Sequence, residues 1–369
     1  MVYSTSYSIR AFIYPFDLLT MFLLLFLSYG CETKKGDKSI EIKQINGFVV
    51  ESDTITLNLR DFISSKENVS LIHAVELDNQ FYCFFEEDFQ YGQDKKLFVS
   101  FSKDGKIQDS IPAPEGIQNS VYFDLFIRND SIITKAYMGE YETYYFDIKE
   151  KKWKQIQIAD DVVYEDKDYR ITFIDYGEWG YTTWFQNKKT QIEYELASNG
   201  LIINKVNNVY YITNEYQILK IENPCNLRPC DLDYYYNIAK AENKFYERQN
   251  YKLDGAKIIY KDTTNSGWYW EKPGEFRIIS SFINSNRLYH ICVDSNRTYI
   301  ARLNRKDFIP VVELENFQYN FFRPYYAFRY NNQPEKRQLL TFSSYDFKTY
   351  GLFLIKNNLI EIKHIRITK

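Results

Sequence analysis

The chain has 369 residues, 45 % of them hydrophobic and 26 % charged, which is enough apolar surface for a sizeable core and excludes a disordered chain. A net charge of −3 excludes the basic footprint of a nucleic-acid binder. Tyr (34) and Phe (28) far outnumber Gly (14) and Pro (9), and aromatic side chains suit the half-buried pleated surface of a sheet, so the composition points to strand.

Residues 1–10 carry a single positive charge, Arg10, and residues 11–27 (AFIYPFDLLTMFLLLFL) are apolar apart from Pro15 and Asp17. Ser28-Tyr29-Gly30-Cys31 follows, then a polar stretch, ETKKGDKSIE. A charged start, an apolar centre and a small residue before the cut describe an export signal. With a cysteine directly after Gly30, residues 1–30 resemble the signal of a bacterial envelope lipoprotein. The resemblance implies that Cys31 is lipid-modified and becomes the mature N-terminus. It also implies a protein held on a membrane of the bacterial envelope, with residues 31–44 as a tether. The apolar run is also just long enough to span a bilayer as an uncleaved anchor. Either reading takes the rest of the chain out of the cytosol.

From residue 45 the apolar residues alternate. Residues 143–158 (TYYFDIKEKKWKQIQI) show the unit: an alternating aromatic run, a charged turn and a second alternating run. Related hairpins turn at Asp104-Gly105, Asn187-Lys188, Pro273-Gly274, Asn304-Arg305 and Asn357-Asn358, with a weaker one within 216–224. Each is preceded by a further strand pair, turning at Asp78-Asn79, Asn129-Asp130, Asn207-Asn208 and 284–286 among others. The Asn and Asp at these turns answer to turn geometry, since both tolerate positive φ. Between Asp104 and Asn357 the mean step is about 42 residues, the period of a four-stranded propeller blade. Residues 45–369 therefore resemble the β-propellers of envelope lipoproteins, in the kelch-like, six- to eight-bladed sense. Seven hairpins imply an all-β fold, a propeller of about seven four-stranded blades, with residues 45–59 available to complete the last blade and close the ring.

Residues 224–255 (PCNLRPCDLDYYYNIAKAENKFYERQNYKLDG) break the repeat. They carry a helix-like run at 234–248 with Asp233 as its cap, and read as a short helical insertion at a blade edge or face. Cys225 and Cys230 lie in it. An oxidising compartment permits a disulfide between them, and two reduced loop thiols are the equal alternative. Cys83 and Cys292 sit inside apolar runs and read as buried strand residues.

Little in the chain carries catalytic chemistry. His73, His290 and His364 are far apart and in no metal-ligand spacing, and Cys225/Cys230 has no second pair, so neither a metal nor a cofactor is expected. No nucleophile elbow and no phosphate cradle is present. Glu86-Glu87-Asp88, Asp160-Asp161 and Glu178 stand near strand ends, where propeller glycosidases and lyases place their acids, but solvated turn charges look the same. The aromatic clusters are more telling. Tyr176, Trp179, Tyr181 and Trp184 crowd one stretch, Trp268 and Trp270 a second, and Arg323 stands among Phe and Tyr in 321–330. Aromatic faces stack on sugar rings and on peptide side chains, and Arg adds hydrogen bonds and cation–π contacts. Half of each cluster fills the core by alternation. Trp179, Trp184, Trp268, Trp270 and Arg323 are the candidate ligand-binding residues. The reading is an envelope binding module for a protein or glycan partner; the alternative is a propeller polysaccharide hydrolase or lyase.

Overall fold

The computed structural model describes residues 40–62, 69–87, 95–120, 123–136, 142–157, 162–175, 181–198, 202–230, 253–262, 276–315, 319–321, 338–344 and 349–368. They form a six-bladed β-propeller. The chain enters through β1 (Glu41–Ile45) and β2 (Phe48–Asn58), so β1 begins inside the stretch expected to be a tether. Blade 1 follows as β3 (Val69–Leu77), β4 (Gln80–Glu87), β5 (Lys95–Ser102) and β6 (Ile107–Pro112). Blade 2 is β7 (Phe123–Arg128), β8 (Ser131–Ala136), β9 (Thr143–Asp147) and β10 (Lys152–Ile156). Blade 3 is β11 (Val162–Glu165), β12 (Tyr169–Asp175), β13 (Tyr181–Asn187) and β14 (Glu193–Leu196).

Blade 4 contains β15 (Ile202–Val206), β16 (Val209–Thr213) and β17 (Gln217–Ile221). The chain then leaves it. The two-residue strand β18 (Arg228–Pro229) crosses to blade 3 and pairs with β14, and the fourth strand of blade 4 arrives only afterwards as β19 (Ala256–Lys261). Blade 5 is β20 (Arg277–Asn284), β21 (Arg287–Val293), β22 (Thr298–Asn304) and β23 (Asp307–Glu315). Blade 6 is β24 (Asn320–Phe321), β25 (Gln338–Ser343), β26 (Tyr350–Lys356) and β27 (Leu359–Thr368), extended by β2 and then β1.

The expectation of about seven blades is corrected to six. The hairpin assigned around Pro273-Gly274 is the surplus one. β19 ends blade 4 and β20 opens blade 5, and Pro273-Gly274 lies between them, outside the described residues. The helix-like run 234–248 lies outside the described residues; what the structure describes of the insertion is its two ends. The remaining tips fall where alternation and turn chemistry place them. Asp78, Asn79, Asn129, Asp130, Asn207, Asn208 and Asn286 all have positive φ, as two-residue hairpins require.

Ring closure uses the N-terminal strand. β2 pairs with β27 from Val49↔Leu359 to Asn58↔Thr368, in parallel, whereas the strands of each blade pair antiparallel. Alternation then lets one sheet feed two cores. Leu352, Leu354, Ile365, Ile55 and Leu57 pack with Phe81, Val99 and Phe101 of blade 1. Phe353, Ile355, Ile360 and Ile362 face the other way and join Ile291, Val293 and Val312 of blade 5. Ile55 and Leu57 are wholly buried, each contributing about 1.5–3 kcal/mol. The unit at 143–158 proves structural. Tyr144, Phe146 and Trp153 pack against Phe84 and Phe98, with the Trp153 ring stacked 5.8 Å from that of Phe84.

Candidate binding face

Strand order divides the loops between two faces. First-to-second and third-to-fourth strand turns open on one, here called the lower face. Second-to-third turns, and the connections from one blade to the next, open on the upper face. Both Trp-bearing stretches join strand ends on the upper face: 176–180 links Asp175 to Tyr181, and 263–275 lies between β19 and β20.

Among the described residues Tyr181 is the most exposed aromatic residue there, with Phe62 (36 % exposed) in the connection from β2 to β3. Tyr181 opens β13, is 43 % exposed, and its ring stacks on Phe173 at 6.0 Å and 18°. Phe173 is buried in the core, so the platform is backed by packed apolar side chains. Trp184 lies three residues further along the same strand and is half-buried, opposite Thr172 and Glu195. Its neighbour Phe185 takes the core face, which puts Trp184 on the other side of the sheet from Tyr181. Trp179, Trp268, Trp270, Arg323 and Cys31 lie outside the described residues, as do Asp88, Asp160, Asp161 and Glu178.

The strand ends beneath this face are tied by buried hydrogen bonds. Thr183 donates to the Ser198 carbonyl (2.8 Å), and the Tyr319 backbone N–H donates to Thr298 Oγ1 (3.0 Å). The Tyr319 hydroxyl donates to Glu315 (3.1 Å); burial, with Glu315 beside it, raises its pKa strongly. On blade 1, the buried Lys96 ammonium donates to the Gln118 carbonyl (3.0 Å) and pairs with Glu86 (3.3 Å). The Gln118 side chain accepts from the Lys96 N–H at 2.8 Å and donates to its C=O at 2.6 Å, beside the Ala113 N–H that bonds the same carbonyl (3.1 Å). Such locked supports hold a recognition surface in one geometry, which lowers the entropy lost on binding. Among the described residues, buried carboxylates stand on separate blades: Glu87 on blade 1, Asp124 on blade 2, Glu215 on blade 4 and Glu361 on blade 6.

The lower face carries the broken repeat. Cys225 is a free, exposed thiol, so the Cys225–Cys230 bridge is not formed in this structure. The reason is the backbone between the two. After the 3-10 turn Pro224–Asn226 the chain extends through β18, and Cys230 is fixed by its N–H bond to the Glu193 carbonyl (2.8 Å). Cys225 Sγ instead lies 3.2 Å from the Tyr169 hydroxyl. Hydrogen bonds from Tyr169 and Tyr194 lower its pKa, while burial pushes the Tyr169 phenol up to about 12. No sequence signal marks this cluster, since Tyr169 and Cys225 are 56 residues apart.

Two of the three histidines are buried, and His364 is half-buried with Nε2 3.8 Å from Glu315. His290 is buried, with Nδ1 2.7 Å from Ser281 Oγ, and burial lowers its pKa to about 3. His73 is buried against Phe123. Among the described residues no group of three or more His, Cys, Asp or Glu side chains has the arrangement of a metal site, and no helix is long and apolar enough to cross a membrane.

No protein-family model matches the chain, and no curated protein matches it. Among solved structures it aligns with a mutant of the Synechocystis apocarotenoid oxygenase at 8 % identity and a TM-score of 0.30, over 75 % of this chain and 71 % of that one. The cobalt-substituted form of that enzyme aligns at 9 % identity and a TM-score of 0.28, over the same shares. The extracellular domain of a hybrid two-component system protein from B. thetaiotaomicron aligns at 10 % identity and a TM-score of 0.23, over 91 % of this chain and 52 % of that one. Likeness this distant carries no substrate, cofactor or partner across.

Proposed function

We propose that this chain is a lipid-anchored propeller of the bacterial envelope that binds a glycan or protein partner on its upper face, without turnover. The observation that carries the reading is the Tyr181–Phe173 stack: an exposed aromatic ring on a buried support, at the strand end that leads to Trp179. A ring held this way offers a face to a sugar or to an apolar peptide side chain at little entropic cost. The second Trp-bearing stretch, with Trp268 and Trp270, joins strand ends on the same face. The hydrogen-bonded strand ends below supply the rigidity that recognition needs. The anchor rests on the sequence at residues 11–31, with Cys31 as the lipidated residue and the membrane as its first partner.

Binding is tested on a glycan array and against envelope protein fractions, with wild type beside Tyr181→Ala and Trp179→Ala. Loss of signal in both variants supports the face; equal binding by all three proteins removes it. Release of reducing or unsaturated ends from a bound polysaccharide would make the chain an enzyme instead. Labelled palmitate incorporated by wild type and not by Cys31→Ala supports the anchor, and no label in either sinks it.

A further inference from the structure

We propose that β1 pairs with β1 of a second copy of this chain, antiparallel and centred on Ile42, so that the closing sheets of two propellers run into one. β1 is the edge of the six-stranded sheet, with β2 on its inner side. Ile42 and Ile40 are 59 % and 53 % exposed, the two most exposed large hydrophobic residues among those described.

The hairpin decides which backbone groups face outwards. Asn46 and Gly47 have φ of 51° and 85°, and Ile45 lies directly opposite Phe48, which is a two-residue type I′ turn. Residues flanking such a turn exchange both backbone hydrogen bonds. Ile45, Lys43 and Glu41 therefore direct their N–H and C=O groups to β2, and Gln44, Ile42 and Ile40 direct theirs outwards.

A two-fold antiparallel partner that engages at least two of those three outward residues has three choices of centre. Centring on Glu41 sets Glu41 against itself, and centring on Lys43 sets Lys43 against itself; facing like charges oppose pairing. Centring on Ile42 sets Ile42 against Ile42 and Ile40 against Gln44, each as a hydrogen-bonded pair. It also sets Glu41 of each copy against Lys43 of the other, twice. Within one copy these two side chains already form an ion pair at 2.9 Å and are both more than half exposed, so they are free to exchange partners. The other outer sheet edges are blunted. β6, β18 and β23 carry Pro112, Pro229 and Pro310, β10 carries Lys152 and Lys154, and Lys257 and Lys261 flank Ile258 on β19.

The test is sedimentation equilibrium of the full chain in detergent. Wild type is expected to dimerise. Lys43→Glu and Glu41→Lys are each expected to weaken the dimer roughly ten-fold or more. An equimolar mixture of those two variants is expected to restore it, because each Glu then faces a Lys. Ile42→Pro, which removes the outward N–H at the centre, is expected to give monomer. A monomeric wild type, or a dimer that persists unchanged in Lys43→Glu and Ile42→Pro, overturns the proposal.

Discussion

The Lys363 ammonium lies 3.2 Å from Asp53 Oδ2, across the parallel pairing of β27 with β2 that closes the ring. Glu361 is 3.3 Å from the same ammonium, and all three side chains are only 9 % exposed. One cation thus holds two carboxylates at the seam between the chain's ends. Lys363→Met is expected to destabilise the fold by about 3 kcal/mol, because it leaves buried carboxylates uncompensated. Adding Asp53→Asn and Glu361→Gln is expected to recover most of that loss. Urea unfolding of the single and triple variants measures both.

Asp166 ties blade 3 to blade 4. Its carboxylate accepts hydrogen bonds from Lys205 (2.7 Å), from the Tyr210 hydroxyl (2.6 Å) and from the backbone N–H groups of Asp168 and Tyr169. Burial opposes its ionisation, but these four donors outweigh burial and hold its pKa below the ordinary value. A depressed carboxylate adds stability above its unfolded pKa, and that stability is lost as pH falls through the folded one. Asp166→Asn is expected to cost about 2 kcal/mol at neutral pH. The gap from wild type is expected to close below about pH 4. Thermal unfolding of both proteins across pH 2–7 checks the sign; a gap that widens in acid contradicts it.

Much of this fold was legible in the sequence, and the exceptions have physical causes. Alternation and Asn/Asp turns located the hairpins because both act over a few residues. The blade count came out one too high because a turn signal does not say which sheet its flanks belong to; Pro273-Gly274 stands between the last strand of blade 4 and the first of blade 5. Closure by residues 45–59 was legible as a spare alternating stretch, but its parallel sense was not, since period-2 alternation is the same in either direction. The candidate site was less legible. Trp184 was singled out by residue type, whereas strand parity and position leave Tyr181 exposed and Trp184 half-buried. The Cys225 cluster depends on β18 crossing from blade 4 to blade 3, which no local pattern announces.

Thiol reactivity is expected to rank by environment. Cys225 is exposed and its pKa is lowered by the Tyr169 and Tyr194 hydroxyls, while burial raises those of Cys83 and Cys292 well above the ordinary thiol value. At pH 7 iodoacetamide is expected to modify Cys225 first and to leave Cys83 and Cys292 untouched in the folded protein. Tyr169→Phe is expected to slow alkylation of Cys225. Peptide mapping over a time course reads both effects, and early labelling of Cys83 would contradict the packing.

Gly105 is held at φ 87° with no room for a side chain: a Cβ there would lie 2.6 Å from the Thr56 carbonyl oxygen on β2. Gly105→Ala therefore strains the turn and pushes on the closing strand. A loss of about 2 kcal/mol or more is expected, with faster hydrogen exchange in β2 than elsewhere.

The most direct test of the binding-face account is a glycan array, run beside envelope protein capture, with wild type and Tyr181→Ala at matched stability. Wild type is expected to retain a defined ligand, and Tyr181→Ala to lose it while unfolding at the same urea concentration. Equal retention by the two proteins would contradict it.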